Sequence, residues 1–301
     1  MKRIIFSLFL SIFLVYFAKA EIKVVSTVKP IADIVKAVGG NKVKSEYIIP
    51  PNVSFHMYEY SIKDMKKVSS ANIFVYIGSG EPNINNLLKI AKGEKLKVGA
   101  LRGMLLIKDF EFTGLEAKDE GHNHRDEHHR HNEEFHPAVW LDPVNALIIA
   151  VNIKNKLQRL DPKNKNYYEK NYLRFQNQVV SVFNKWYWKF NKLKRKDFIS
   201  YHYLWPYLTY RFKLNYLAVI ELGHGREPSI HHITYIINLI KNRDIKAIFV
   251  AKQFENKKYT KIIKESTGVK IVYLDPFGIN KDYPSMMDFN LRNIYKGLSG
   301  N

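Results

Sequence analysis

The sequence predicts an α/β protein of two lobes, each a parallel sheet with flanking helices, joined by one long rigid helix and facing each other across a cleft. Three observations carry this. Short β-branched runs alternate with helical stretches on both sides of the chain, the pattern of a parallel sheet. Once a leader is removed, about 280 residues remain, more than one core usually accommodates. Between the two alternating regions, an aromatic stripe at helical spacing runs for about 29 residues, a rod of about 43 Å at 1.5 Å per residue.

Residues 1–20 read as a secretory signal peptide. Lys2 and Arg3 supply the positive start, Ile4 to Phe17 is almost wholly apolar, and Ala18-Lys19-Ala20 is a small-residue cleavage site. The apolar run is too short to span a bilayer comfortably, and no later stretch is long and apolar enough to do so. The expectation is a cleaved, exported protein beginning at Glu21, most simply in a bacterial periplasm.

Residues 21–142 form the expected first lobe. Ile22 to Thr27 is a strand, Pro30 opens a helix that Gly39-Gly40 closes, and Val43 to Ile49 is a second strand ending at Pro50-Pro51. Ser61 caps a helix through Ser69, Ile73 to Ile77 is a third strand, Pro82 sits in the first turn of another helix, and Leu96 to Gly99 is a fourth strand. Ligands of open parallel sheets sit beyond the carboxyl ends of the strands. His56 occupies a loop of that kind, with Glu59 close by as a possible ligand or supporting residue.

Six of the chain's eleven histidines then crowd into GHNHRDEHHRHNEEFHPAVWLDP, Gly121 to Pro143: His122, His124, His128, His129, His131 and His136. Imidazole is largely neutral at pH 7 and offers a lone pair without first losing a proton, so such a tract points to a transition metal. The bland alternative is a solvated linker, since the stretch has no apolar periodicity with which to bury a face.

Residues 143–193 are the connecting helices. Asp142 caps and Pro143 starts the first, whose Ala146, Ala150, Ile153, Leu157 and Leu160 recur at three and four. Asp161-Pro162 ends it, and Tyr168, Tyr172, Phe175, Val179, Phe183, Trp186, Phe190 and Leu193 mark the long one as a packing stripe rather than a cofactor box. In the second lobe, 194–301, Asp197 to Tyr201, Leu214 to Ile220, Ile245 to Val250 and Val269 to Leu274 are strands. Helices are expected around Trp205 to Arg211, from the Ser229 cap to Lys241, and up to Gly268. His202 and Asp275 each follow a strand directly, so this lobe also aims ligands out of its strand ends. His231 and His232 are neighbours in a helix and point apart; His224, in a Gly-His-Gly turn, is a weak accessory candidate.

The chain has no cysteine, which removes disulfides, thiolate ligands, iron–sulfur clusters and lipid attachment through an N-terminal Cys. The formal charge of +20 falls to +17 without Lys2, Arg3 and Lys19; the lysines are spread along the chain, and with export this argues against nucleic acid. No nucleophile elbow, phosphate loop, dinucleotide fingerprint or His-Glu-x-x-His helix occurs.

These residues together resemble the zinc and manganese solute-binding proteins of ABC transporters, the ZnuA-like zinc-uptake family. The matching segments are TVKPIADIV from Thr27, NVSFHMYE around His56, Trp140-Leu141-Asp142-Pro143, FISYH ending at His202, Glu227-Pro228-Ser229 and Tyr273-Leu274-Asp275-Pro276-Phe277-Gly278. They run in the family's order along almost the whole mature chain. The resemblance implies an ion held in the cleft by three histidines, or two and a carboxylate, with a last acidic ligand or water. It carries over to His56, His202 and Asp275, and a His-rich insertion before the Trp-Leu pair is typical of zinc members.

Two departures accompany it. The family's second histidine, two residues before the Trp, is Ala138 here. His136 stands two residues further back, about 6 to 7 Å away if the segment is extended; it replaces the lost ligand only if the backbone shifts, and otherwise a loop histidine or water fills the place. Ala251-Lys252 stands where relatives often have Glu-Pro, putting a cation beside the cleft or pointing it outward.

The expected function is capture of Zn(II) and delivery to the membrane permease of an ABC importer by a monomeric protein, with the metal as cargo and no catalysis. Neutral imidazoles and one carboxylate favour zinc over calcium or magnesium, and manganese sites carry more carboxylate. A manganese-binding homologue, a metal buffer without a permease, and a zinc-dependent hydrolase using His56, His202 and Asp275 around an activated water are the alternatives.

Overall fold

The computed structural model describes residues 21–53, 57–108, 135–221 and 227–300. The first lobe runs β1 (Ile22–Val28), α1 (Lys29–Gly39), β2 (Val43–Ile49), α2 (Ile62–Ser69), β3 (Ile73–Tyr76), α3 (Ile84–Ile90) and β4 (Glu94–Lys97). The connecting helices are α4 (Pro143–Leu160) and α5 (Lys165–Asn191). The second lobe runs β5 (Asp197–Ser200), α6 (Pro206–Arg211), β6 (Asn215–Val219), α7 (Ile230–Arg243), β7 (Ala247–Ala251), α8 (Lys257–Thr267), β8 (Lys270–Leu274) and α9 (Tyr283–Ser299).

Each lobe has a four-stranded sheet, ordered β2-β1-β3-β4 and β6-β5-β7-β8, and every pairing is parallel. The sequence explains which strands are central. β7 reads AIFVA and is buried at every position, as a strand covered on both faces must be. β8, at the edge, carries exposed Lys270 and a Tyr273 that keeps 40% of its surface.

The two-lobed parallel architecture with its long helix is as predicted. At 27 residues α5 is about 40 Å long, and Tyr168, Phe175, Val179, Trp186 and Phe190 are its buried stripe. Leu160 differs from the expectation: at the last turn of α4 it has run past the core and is 42% exposed. Boundaries also move. Asn83 takes a left-handed φ of 51°, so α3 begins after it rather than at Pro82. β4 ends at Lys97, and Val98–Ala100 is a short 3-10 turn.

The final helix α9 was not among the expected elements. Asp282 caps it, Pro284 occupies its first turn, and Met286, Met287, Leu291 and Ile294 face inward. With it, one hydrophobic core runs unbroken from the first sheet through α4 and α5 to Phe198, Phe249 and Leu274 of the second. Among the described residues, no helix is long and apolar enough to cross a membrane.

Candidate metal centre

The segment 135–142 is laid between the lobes by groups on both sides. Phe135 packs against Gly99, where any side chain would collide, since a Cβ would come within 2.1 Å of the ring. Ser79 donates to the Phe135 carbonyl, and the His136 amide donates to Ile107 O at 2.7 Å. The indole of Trp140 is fully buried against Phe277, and its N–H donates to Pro276 O at 2.8 Å. Tyr283 of α9 returns a bond to Trp140 O at 2.8 Å. Asp142 caps α4 through Val144 N and accepts Arg211 Nε and Nη2 at 2.8 and 2.5 Å, a bidentate pair across the lobes.

Within this frame His136 is buried, with both ring nitrogens engaged. Nδ1 accepts the Ala138 amide at 3.2 Å, so the proton sits on Nε2, which donates to Tyr203 O at 2.9 Å. Tyr207 donates to His136 O at 2.7 Å, and the Tyr203 ring stands edge-on 4.9 Å away. His136 thus reaches the loop that carries His202, and to bind a metal it must give up one of these bonds. Ala138 is buried and offers only a methyl group.

His202 follows β5. Its Nε2 lies 3.1 Å from Glu221 Oε2, while Nδ1 is buried without a hydrogen-bond partner among the described residues. A carboxylate holding the proton on one imidazole nitrogen leaves the lone pair on the other, the arrangement that orients metal-binding histidines. Glu221 follows β6 as His202 follows β5, so the rule that selected His202 selects Glu221 too, although the sequence reading passed over it.

Asp275 follows β8 and is 7% exposed. Oδ1 accepts Gly278 N at 2.8 Å, and Oδ2 lies 3.2 Å from Lys281 Nζ. Asn290 of α9 pinches its backbone, accepting the Asp275 amide at 2.7 Å and donating to its carbonyl at 2.8 Å. Between His202 and Asp275 comes the loop after β7, whose Phe254 ring is 5.6 Å from the His202 ring and 6.0 Å from Phe277. These aromatics form a dry wall beside the two ligand candidates. Lys252 in the same loop is exposed, so it points outward.

At the carboxyl end of the first sheet, buried Glu81 accepts Ile77 N at 2.8 Å and Gly78 N at 2.7 Å. Burial pushes its carboxyl up to about 7 against the pull of those amides. Burial likewise lifts Asp33, at the start of α1, to about 6 even with Lys29 beside it. Glu59 is exposed. His56, His122, His124, His128, His129, His131 and His224 lie outside the described residues. Among the described residues, no three His, Asp or Glu side chains converge closely enough to hold an ion.

Residues 24–297 match the family model described as the periplasmic component A of the zinc-uptake complex. The zinc-binding protein AdcA of Streptococcus pyogenes serotype M18 is 25% identical over 298 residues, covering 92% of this chain; the chain spans 56% of that relative's length. The metal ABC transporter substrate-binding lipoprotein SloC of Streptococcus mutans is 26% identical over 295 residues, covering 94% of this chain and 92% of that protein. A crystal structure of ZnuA superposes with a TM-score of 0.76 at 22% identity, over 92% of this chain and 98% of that one, a likeness of fold. The chain belongs to the zinc-uptake component A family, a family of substrate-binding transport proteins rather than enzymes, which removes the hydrolase alternative.

Proposed function

We propose that this protein captures Zn(II) outside the cytoplasmic membrane and delivers it to the permease of an ABC importer. The observation that supports this most directly is His202. Its Nδ1 is withdrawn from water with no hydrogen-bond partner among the described residues, while Glu221 holds the opposite nitrogen in a loop at the carboxyl end of β5. A buried polar atom left without a partner is costly, and a metal ion arriving at the lone pair removes that cost. The proposed ligands are His56, His136, His202 and Asp275, with Glu59 and the histidines 122, 124, 128, 129 and 131 as accessory donors.

Four such ligands make a closed, tetrahedral site suited to carrying zinc. His136 reaches the ion by releasing either the Ala138 amide or Tyr203 O, both weak enough to be exchanged for a metal bond. The His-rich tract acts as a local reservoir, raising the zinc concentration at the cleft. The leader, residues 1–20, is cleaved, the protein works in the periplasm as a monomer, and zinc is preferred to manganese because imidazole outnumbers carboxylate.

Calorimetric titration with zinc and with manganese tests this on the protein from Glu21, on a variant lacking Gly121 to His131, and on His136→Ala. One tight zinc site that survives the deletion and is lost in His136→Ala assigns His136 to the place vacated at Ala138. Loss of all tight binding in the deletion sinks the cleft assignment.

A further inference from the structure

Asp275 is not left bare to wait for a metal. The turn that follows it, Gly278 to Lys281, closes with Lys281 N donating to Gly278 O at 3.0 Å and uses left-handed φ angles at Gly278 and Asn280. This folds the chain back and brings the Lys281 ammonium to 3.2 Å from Asp275 Oδ2. The main chain under the carboxylate is held in place, because Asn290 grips the Asp275 backbone on both sides. Lys281 is also placed from the first lobe: Lys29 Nζ donates to Lys281 O at 2.8 Å while pairing with Asp33 at 2.6 Å.

We infer that Lys281 is an internal cation competing with the metal for Asp275, and that it sets the affinity of the site. The inference rests on Asp275 being a ligand. Two physical effects act in the same direction. Without metal, the ammonium compensates a carboxylate that is 7% exposed and otherwise satisfied by one amide, so the empty site is stabilised. With metal, the ammonium beside Asp275 stands within a few ångströms of a divalent ion in a half-buried setting, where like charges repel far more than in water, so it must be displaced for the ion to bind. Both effects weaken binding, and both ease unloading at the permease, because the departing ion leaves no unpaired buried charge behind.

The lysine also has somewhere to go. Its side chain keeps 29% of its surface and lines a groove of about 700 Å³ between α5 and α9, bordered by Arg174, Gln178, Ser181 and Phe289. Its ammonium already lies 4.5 Å from the Phe289 ring centroid, so a short swing exchanges the carboxylate for the ring face and water. Of the two expectations for Lys252, beside the cleft or outward, the structure shows the outward one; the cation next to Asp275 is Lys281, six residues past it in sequence.

Zinc titration of Lys281→Met, Lys281→Arg and Asp275→Asn tests this, with melting of each protein in the presence of chelator and of saturating zinc. Lys281→Met is expected to bind zinc about tenfold more tightly, to melt lower than the parent without metal and no lower with it. Lys281→Arg, which keeps the charge, is expected to stay within about threefold of the parent. If Lys281→Met does not fold, Lys281→Gln carries the same expectation. Unchanged or weaker zinc binding in the neutral variant overturns the role of Lys281, because a merely structural lysine cannot tighten the site when removed. Unchanged binding in Asp275→Asn overturns instead the assignment of Asp275 as a ligand.

Discussion

The two lobes are wired alike and held together differently. Both sheets place the first strand of the lobe beside the third, with the second strand at one edge and the fourth at the other. In the first lobe, both sheet faces join the core that continues through α4, α5 and α9. In the second, successive residues divide: Phe198 and Phe249 face that shared core, while Ile199, Ile248 and Val250 face a separate cluster completed by Ile233, Ile236 and Ile240 of α7 and Ile263 of α8. The period-two alternation of a strand is enough to make this division. The carboxyl ends differ as well. The first lobe closes buried Glu81 with its own amides, whereas the second carries His202 and Asp275 just past its strands, each beside a charged partner. One topology thus yields a lobe packed wholly into the shared core and a lobe with a second, outer cluster.

The largest effect should come from breaking the shared core. Trp140→Ala empties a fully buried indole site and removes its bond to Pro276, at a cost of about 4 to 5 kcal/mol. Urea unfolding followed by fluorescence and by circular dichroism should shift together, because both lobes lose the same support. Ile236→Ala, also fully buried but in the second cluster, should cost about 3 kcal/mol. Its loss should show first as faster amide exchange in α7 and β7, with the first lobe still protected. Uniform exchange in both variants would mean that the outer layer is not separable.

Most of this organisation can be read from the sequence, since strands, helices and the aromatic stripe of α5 follow from periodicity and caps. α9 was legible too: Asp282, Pro284 and the spacing of Met286, Met287, Leu291 and Ile294 are ordinary helix signals, obscured by the turn-forming Gly278-Ile279-Asn280 before them. His202 and Asp275 were singled out because they follow strands, which the fold bears out, and Glu221 obeys the same rule. The pairing of Lys281 with Asp275 could not be read, since it depends on two left-handed residues, Gly278 and Asn280, in the four-residue turn that ends at Lys281. Nor could the double engagement of His136, because its partners Ala138 and Tyr203 mean nothing until the lobes are assembled.

A third test uses charge. For Glu81, burial raises the folded value from 4.5 to about 7, so the folded state holds this proton more tightly than the unfolded chain does. Its contribution is fully present below about pH 4.5 and lost as pH rises through about 7, a span worth roughly 3 kcal/mol. Asp33, raised by burial to about 6 in the same lobe, acts in the same sense. Glu81→Gln should flatten this fall, although the amide cannot accept both Ile77 N and Gly78 N and absolute stability drops. Urea midpoints of parent and variant from pH 4.5 to 8 should converge toward the alkaline end; a constant difference between the two would show that Glu81 does not titrate there.

The smallest effects should discriminate most finely between the lobes, because two serine caps of the same kind serve different layers. Ser61 caps α2 in a reciprocal box, its Oγ accepting Asp64 N at 3.3 Å while Asp64 Oδ2 accepts Ser61 N at 2.9 Å. Ser229 caps α7 with its Oγ accepting His232 N at 3.1 Å. Replacing either by Ala removes about 1 kcal/mol of local helix stability. Val68 of α2 belongs to the shared core, so Ser61→Ala should lower the global unfolding free energy by that full amount. α7 packs in the second cluster rather than the shared core and is expected to open with it before global unfolding, so Ser229→Ala should accelerate exchange in α7 severalfold while leaving the global midpoint nearly unchanged. Equal global shifts from the two caps would place α7 in the same cooperative unit as the first lobe, and the difference between the lobes would then be one of packing alone.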